Sequence, residues 1–521
     1  MAIDYKRIDR QYTGALRWKD NGFIGLIEWA TGVGKGFFLA FTDTFRKIKG
    51  FIPLYLESYP KGRIILVSSS QTIKSQNYSI IEKSIPKALN QIVFVTIDEL
   101  INGTQYHKQE FDLMIADEVD VYTSHVRREY INNTLIKYKH FLGLTATPFL
   151  IKKYYNEFLN NVPIVDTISL SDATKLDFVA DSIEYNLGLE LPEEDYVAYK
   201  EYTNLIAKGL YKFTKLYGYL QFINSYTTHS VDNSYYKMRV ILNACLKGCY
   251  MTFNGVKQFY KSYHFTTKLA ELNGYNPGLN PLNPYHKEII DDWKPENITK
   301  FCGALLNAFE SRENLLKKHI LKHEVTVSVL NQLNIPETII FGESSENADV
   351  LYHYINTRLG DDTAVLYHSK AKIPIIEDGK PLLYKSGKNK DKVRYYGTTP
   401  NSKGEIPLMK YNLNKLDNGS KVLVAVKGLS RGFNRPSIEL VIITSLTESS
   451  TNYYQRKGRG IRLSENGEEL NVFIVNIYFK YTIEERKLKQ IQQHFLSTGG
   501  KVYWINQTEG ITTEPDVINI N

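Results

Sequence analysis

The stretch Trp29–Phe38, WATGVGKGFF, decides the fold. It follows an apolar run, Phe23 to Ile27, and leads into another, Phe37 to Ala40, which predicts strand, glycine-rich loop and helix. Such a loop turns backbone N–H groups around a phosphate, and the next helix adds the partial positive charge of its N-terminus. Thr31, Gly32, Val33, Gly34, Lys35 and Gly36 are therefore a candidate nucleotide cradle, with the Lys35 ammonium in reach of the β- and γ-phosphates. Two positions depart from the usual P-loop pattern. Trp29 stands where Gly or Ala is usual, and Gly36 stands where a Ser or Thr hydroxyl follows the lysine. Taken alone, the loop also reads as a glycine turn before a core helix.

On the N-terminal side, residues 1–22 read as a short helix carrying Gln11, whose amide suits either an adenine edge or the solvent. On the C-terminal side, Ile64 to Val67 is a buried strand by composition, followed by Ser69, Ser70 and Gln76. Ile92 to Leu100 is another, with Thr96 at its end. Polar residues beyond the carboxyl ends of parallel strands are where open α/β sheets bind ligands. The run Phe111 to Ala116 then delivers Asp117, Glu118 and Asp120 at the exit of an apolar strand. Carboxylates there are costly unless they serve something. An acidic pair suits Mg²⁺ and the activation of water; an acidic helix cap is the alternative. A further strand ends in Thr145, Ala146 and Thr147.

In the second half, Glu337 to Ile355 reads as strand, polar tip and helix, with Ser344 in the tip. TAVLYHS supplies another strand, and residues 373–409 read as a polar, Gly- and Lys-rich hairpin or loop. KVLVAVKGLSRGFNRPSIELVII carries Val426, Ser430, Gly432, Asn434 and Pro436. NYYQRKGRGIR carries Gln455, Gly458, Arg459 and Arg462. The two arginines are three apart and share a face if the segment is helical, which suits charge on a transferring phosphoryl group or, alternatively, phosphodiester contacts.

The order of these segments resembles the superfamily 2 helicases, in their DEAD/DEAH and restriction-type branches. ATGVGK is similar to their motif I, SSSQTIKSQ to motif Ia, DEVD to motif II and TAT to motif III. The segments around Ser344, Ser430 and Gln455 resemble motifs IV, V and VI. The resemblance spans roughly 1–185 and 334–490. It implies two RecA-like domains with ATP and Mg²⁺ between them and nucleic acid crossing both. On this reading Lys35 holds phosphates, Asp117 takes the metal, Glu118 orients water, and Arg459, Arg462 and Gln455 complete the site from the second domain. Gln11 and Asn434 belong to the nucleotide pocket. Thr145 and Thr147 couple the site to movement, and Ser69, Ser70, Gln76, Thr96, Ser344 and Ser430 face nucleic acid. Val426 replaces a threonine that often touches the nucleic-acid backbone.

The expected class is therefore α/β: two RecA-like parallel-sheet domains, 1–187 and 334–495, with a mostly helical insertion at 188–333 and a tail at 496–521. The insertion is helix-periodic, broken by NGYNPGLNPLNPYHK. Its aromatics read mainly as core, although aromatics among lysines also suit a stacking surface for a single strand. A length of 521 residues accommodates about three domains. No apolar run approaches the roughly 18 residues of a membrane span. The opening MAIDYKRIDR has no apolar signal core, so an intracellular, cytoplasmic protein without membrane contact is expected. Cys245, Cys249 and Cys302 fit a reducing compartment, with Cys245 and Cys249 read as buried thiols of a helical core rather than zinc ligands. A net charge of +8 permits nucleic-acid binding without demanding it. The DEVD, TAT and QRKGRGIR forms look closer to restriction-type and phage DNA repair or recombination helicases than to RNA-specific proteins. The expectation is a stand-alone, monomeric DNA motor. A non-catalytic clamp or assembly factor, a double-strand translocase and an RNA helicase remain open.

Overall fold

The protein is described from a computed structural model covering residues 4–30, 32–106, 109–119, 136–146, 162–179, 182–216, 249–253, 256–260, 282, 295–342, 344–377, 379–384, 390–398, 406–426, 437–445, 453, 456–457, 472–496 and 501–506. Two compact units are present, Met1–Glu190 with Ile320–Asn521, and Leu191–His319.

The first unit holds two parallel sheets. One uses β1 (Ile24–Trp29), β4 (Ile64–Ser68), β5 (Ile92–Thr96), β6 (Glu110–Asp117), β7 (Lys137–Thr145) and β8 (Ile164–Ile168), while β2 (Thr42–Asp43) and β3 (Ile48–Lys49) form a separate small hairpin. The order across the sheet is β5-β4-β6-β7-β1-β8, with every neighbour parallel. Its strands are near-continuous apolar runs because both faces are covered. Alternate residues feed two cores: Ile27, Leu66 and Ile115 enter one, and Leu26, Val67 and Met114 enter the other. The period of two that sorts them is that of the strand itself.

The second sheet is ordered β13-β16-β12-β17-β18-β9-β19 and is also parallel throughout. Its strands are β9 (Ser182–Leu189), β12 (Thr338–Phe341), β13 (Ala364–Tyr367), β16 (Val422–Ala425), β17 (Leu440–Ile443), β18 (Val472–Phe479) and β19 (Lys501–Asn506). The expected pair of parallel α/β sheets is present. Their sequence boundaries differ from expectation. β9, read as the exit from the first domain, is the sixth strand of the second sheet and pairs with β18 and β19 over almost its whole length. The reason is chemical: Glu184 and Asn186 are polar groups on a buried strand, and their partners Lys457, Asn476 and Gln492 all lie in the C-terminal half. Likewise the helix Ile320–Gln332, expected in the insertion, belongs to the first unit. Its buried Lys322 donates to Thr444 O at 2.8 Å and Glu484 Oε1 at 2.7 Å, and a buried ammonium goes where its acceptors are.

The second unit packs the helix Glu193–Leu216 against Pro295–Lys317. Gly209 permits the approach, since a Cβ there would lie 2.6 Å from the Leu305 side chain. Cys249 is not on a helix. It opens β10 (Cys249–Phe253), which pairs antiparallel with β11 (Val256–Tyr260) through an Asn-Gly connection, a strong hairpin signal that outweighs the helical spacing of the cysteines. Cys245 lies outside the described residues. Among the described residues no helix is long and apolar enough to cross a membrane, and no cluster of three or more His, Cys, Asp or Glu is arranged to hold a metal.

Candidate nucleotide and metal site

The predicted helix after the glycine loop is a single turn, Lys35–Phe38, before the chain folds into the β2–β3 hairpin. Gly36 and the paired phenylalanines do not sustain it, and Gly50 packs so closely behind it that a Cβ would overlap Phe38 O. The helix dipole therefore contributes little, and an anion here would depend on backbone N–H groups and Lys35. Gly32 and Gly34 have φ of 93° and 97°, which an L side chain rarely adopts, so the loop conformation needs both glycines. The Lys35 ammonium lies back over the loop, donating to Trp29 O and, at 3.3 Å, to Ala30 O.

Trp29 explains its own departure from the P-loop pattern. It is fully buried, and its indole N–H donates to Asp166 Oδ2 at 2.6 Å. The Asp166 carboxylate also receives Arg10 at 2.7 Å and Arg17 at 2.5 Å from the helix Tyr5–Asp20. Gly14 lets this helix sit close, because a Cβ would meet Asp166 Oδ2 at 2.6 Å and the Trp29 ring at 2.7 Å. The result carries Gln11 to the loop: its Nε2 donates to Val33 O at 2.7 Å. Its Oε1 is buried and has no hydrogen-bond partner among the described residues. An amide with one buried, unspent acceptor beside the loop suits a donor such as the amino group of a base.

β6 brings the acidic pair to the same sheet edge. Asp117 is buried, and burial together with the Glu118 charge pushes its carboxyl up to about 6, against Asn77 and the Lys35 ammonium, which pull it down. Glu118 has φ of 57°, unusual for a non-glycine residue, and Ser69 Oγ donates to its Oε2 at 2.5 Å. Asn77 escaped the sequence reading. It is buried, donates through Nδ2 to Asp117 Oδ2 at 3.0 Å, and turns Oδ1 toward Gly36. A Cβ on Gly36 would meet only that oxygen, at 3.9 Å, so the place of the missing hydroxyl is open. The available signal was an asparagine directly after Gln76 in a helix whose neighbouring turns are apolar.

Other predicted residues are spread over both sheets. Ser70, Thr96 and Ser344 cap helices, accepting from Ile73 N at 3.4 Å, Glu99 N at 3.1 Å and Asn347 N at 3.2 Å. The predicted strand Ile92 to Leu100 accordingly stops at Thr96, where a complete capping box with Glu99 begins a helix. Gln76 is exposed, and Thr145 is buried at the end of β7. Thr31, Asp120, Thr147, Ser430, Gly432, Asn434, Pro436, Gln455, Gly458, Arg459 and Arg462 lie outside the described residues. Next to them in sequence, Tyr453 and Lys457 are buried against Glu184. Burial alone would raise that carboxyl, but Lys457, Tyr453 and Gln492 hold it below the usual carboxylate range.

Residues 321–464 match the family described as Helicase conserved C-terminal domain. Over that segment the chain is similar to helicases. No curated protein sequence matches it significantly. Similar solved structures include the yeast S. cerevisiae Dbp5 bound to RNA and ADP BeF3, 11% identical with TM-score 0.49, where 96% of this chain and 90% of that one are covered. The Pyrococcus furiosus Hef helicase domain is 15% identical with TM-score 0.45, over 94% of this chain and 100% of that one. A fragment of a putative HsdR subunit of a type I restriction enzyme from Vibrio vulnificus YJ016 is 14% identical with TM-score 0.43, over 97% and 69%.

Proposed function

We propose that the chain is an ATP-driven nucleic-acid motor, a monomer that unwinds or remodels DNA in the cytoplasm. One observation carries this reading: the loop after β1 and the end of β6 lie at one sheet edge, where the Asp117 carboxyl feels both the Lys35 and the Glu118 charge. The residues fit ATP and Mg²⁺. The left-handed glycines shape an anion loop, the unspent Gln11 acceptor suits a base, and the Asp117 carboxylate with the Asn77 amide beside it offers oxygen to a hard cation. When bound, Mg²⁺ supplies charge neutralisation at the phosphates.

In that role Lys35 gives up its contacts with the strand-end carbonyls and binds phosphate. Asp117 holds the metal in its ionised form, which the Lys35 charge favours. Glu118, aimed by Ser69 and by its left-handed backbone, orients the attacking water and takes its proton. Arg459, Arg462 and Gln455 would act from the second domain. The DEVD, TAT and QRKGRGIR forms support DNA over RNA as the track.

The test is Mg²⁺-dependent ATP hydrolysis by the wild type and Glu118→Gln, with and without single- and double-stranded DNA and RNA. Stimulation by DNA, with turnover reduced about 10²-fold or more in the variant, is expected. A second reading, a nucleic-acid clamp that no longer turns over, is favoured by Gly36, which lacks the metal-binding hydroxyl. Tight DNA binding without hydrolysis under any condition would select it. Stimulation by RNA alone would overturn the DNA assignment.

A further inference from the structure

Between β13 and the helix Pro407–Asp417 the chain forms a small β flap that belongs to neither sheet. β14 (Ile376–Glu377) pairs with β15 (Lys380–Pro381), and bridges from Pro374 to Tyr395 and from Leu383 to Val393 close the flap. Backbone bonds from Ile375 N to Arg394 O at 2.9 Å and from Arg394 N to Leu382 O at 2.8 Å tie all three segments together. What the flap lacks is a core. From Lys372 to Thr398 none of the described residues is buried. Instead Ile376 is 53% exposed, Leu383 43%, Tyr384 39% and Tyr395 45%. A sheet this small is marginal unless a face is covered, so its apolar and aromatic groups are left for something else.

Composition and position say what. Residues 370–403 contain nine Lys or Arg and three Asp or Glu, and so hold most of the chain's net charge of +8. Lys380, Lys390, Lys392 and Arg394 are exposed, and the Arg394 guanidinium lies 5.7 Å from the centre of the Tyr384 ring. The flap continues from the carboxyl end of β13. In register, Tyr367 of β13, Ala425 of β16 and Phe341 of β12 are at one level. The flap, Val426 after β16 and the tip carrying Ser344 therefore leave the sheet side by side.

We propose that this flap is a binding surface for single-stranded nucleic acid, with bases stacked on Tyr384 and Tyr395 and the phosphate backbone followed by the basic side chains. It extends the row of strand tips to the sheet edge, where a strand leaving a duplex can be held apart from its complement. The proposal rests on the reading of the chain as a nucleic-acid motor. Stacking of this kind is insensitive to sequence, so the ligand class is a single strand of any base composition.

The experiment uses the full chain. A photoreactive benzoylphenylalanine at Leu383 is tested for crosslinking to a fluorescent single-stranded oligonucleotide. Tyr384→Ala/Tyr395→Ala and Lys390→Glu/Arg394→Glu are compared with the wild type for oligonucleotide affinity by anisotropy, for fork unwinding and for binding of a fluorescent ATP analogue. The expected result is a crosslink to the oligonucleotide, an affinity loss of about tenfold or more in each double variant, and reduced unwinding with unchanged nucleotide binding. Because none of the described flap residues is buried, neither double variant opens a cavity in a core, and nucleotide binding reports that the fold is intact. Wild-type affinity in both variants, or crosslinks to protein only, overturns the flap proposal while leaving the motor reading standing. A wild type that binds no oligonucleotide and whose ATPase ignores nucleic acid overturns both.

Discussion

Replacing Glu184 by glutamine tests a dense buried polar cluster. The carboxylate is fully buried on β9. Its Oε2 accepts from Lys457 Nζ at 2.7 Å, and its Oε1 accepts from Asn476 Nδ2 at 2.8 Å, Tyr453 Oη and Gln492 Nε2. Every partner donates. Glutamine has nearly the same volume, but whichever way its amide turns, an NH₂ faces a donor and the buried Lys457 charge loses its counter-ion. Removing one member of a buried ion pair costs about 3–5 kcal/mol. Hydrogen exchange at residues 182–189 and 472–479 should therefore quicken by about 10²–10⁴-fold, with little change at residues 64–68 of the other sheet. Adding Lys457→Met to Glu184→Gln should recover part of the loss, because the unpaired charge is gone. An exchange rate within about fivefold of wild type in Glu184→Gln would refute the reasoning, as would a double variant that loses the sum of the two single effects.

Two further outcomes are expected. In metal-free protein Asp117 titrates near 6 when folded and near 3.8 when unfolded, so the folded state holds its proton more tightly. Its contribution to stability is then complete below about pH 4 and is lost as the pH rises through about 6, on the order of 3 kcal/mol in all. Urea unfolding in EDTA from pH 4 to 8 should show this slope, and Asp117→Asn should flatten it. Gly36→Thr places its Cβ in open space facing Asn77 Oδ1, so its melting temperature should not fall. The Mg²⁺ concentration that half-saturates nucleotide binding should drop about five- to tenfold, in line with about 1 kcal/mol or more for one restored polar contact to a charged group. An unchanged Mg²⁺ requirement would show that the missing hydroxyl is not a weakness of this site.

Much of the fold was legible because strand composition is a local property. Ile64 to Val67 and Phe111 to Ala116 can satisfy their apolar side chains only inside a two-sided sheet, and the polar residues after them mark the edge at which open parallel sheets take ligands. The glycines of the loop and the lysine after them were equally plain, since a left-handed backbone at Gly32 and Gly34 demands glycine wherever the fold puts it. What sequence spacing did not reveal depends on partners far away in the chain. Glu184 looks like one more residue at the exit of the first domain until Lys457, Asn476 and Gln492 close around it, and that closure draws β9 into the second sheet. Trp29 looks like a defect in a phosphate loop until Asp166 accepts its indole N–H, and Asn77 looks like a surface residue until it bonds Asp117. The chain by itself determined which segments are strands and which tips are polar, because burial and backbone preference act within a few residues. Only the tertiary structure decided which sheet each strand joins and which polar groups meet, because a buried charge is satisfied by whatever the fold brings to it.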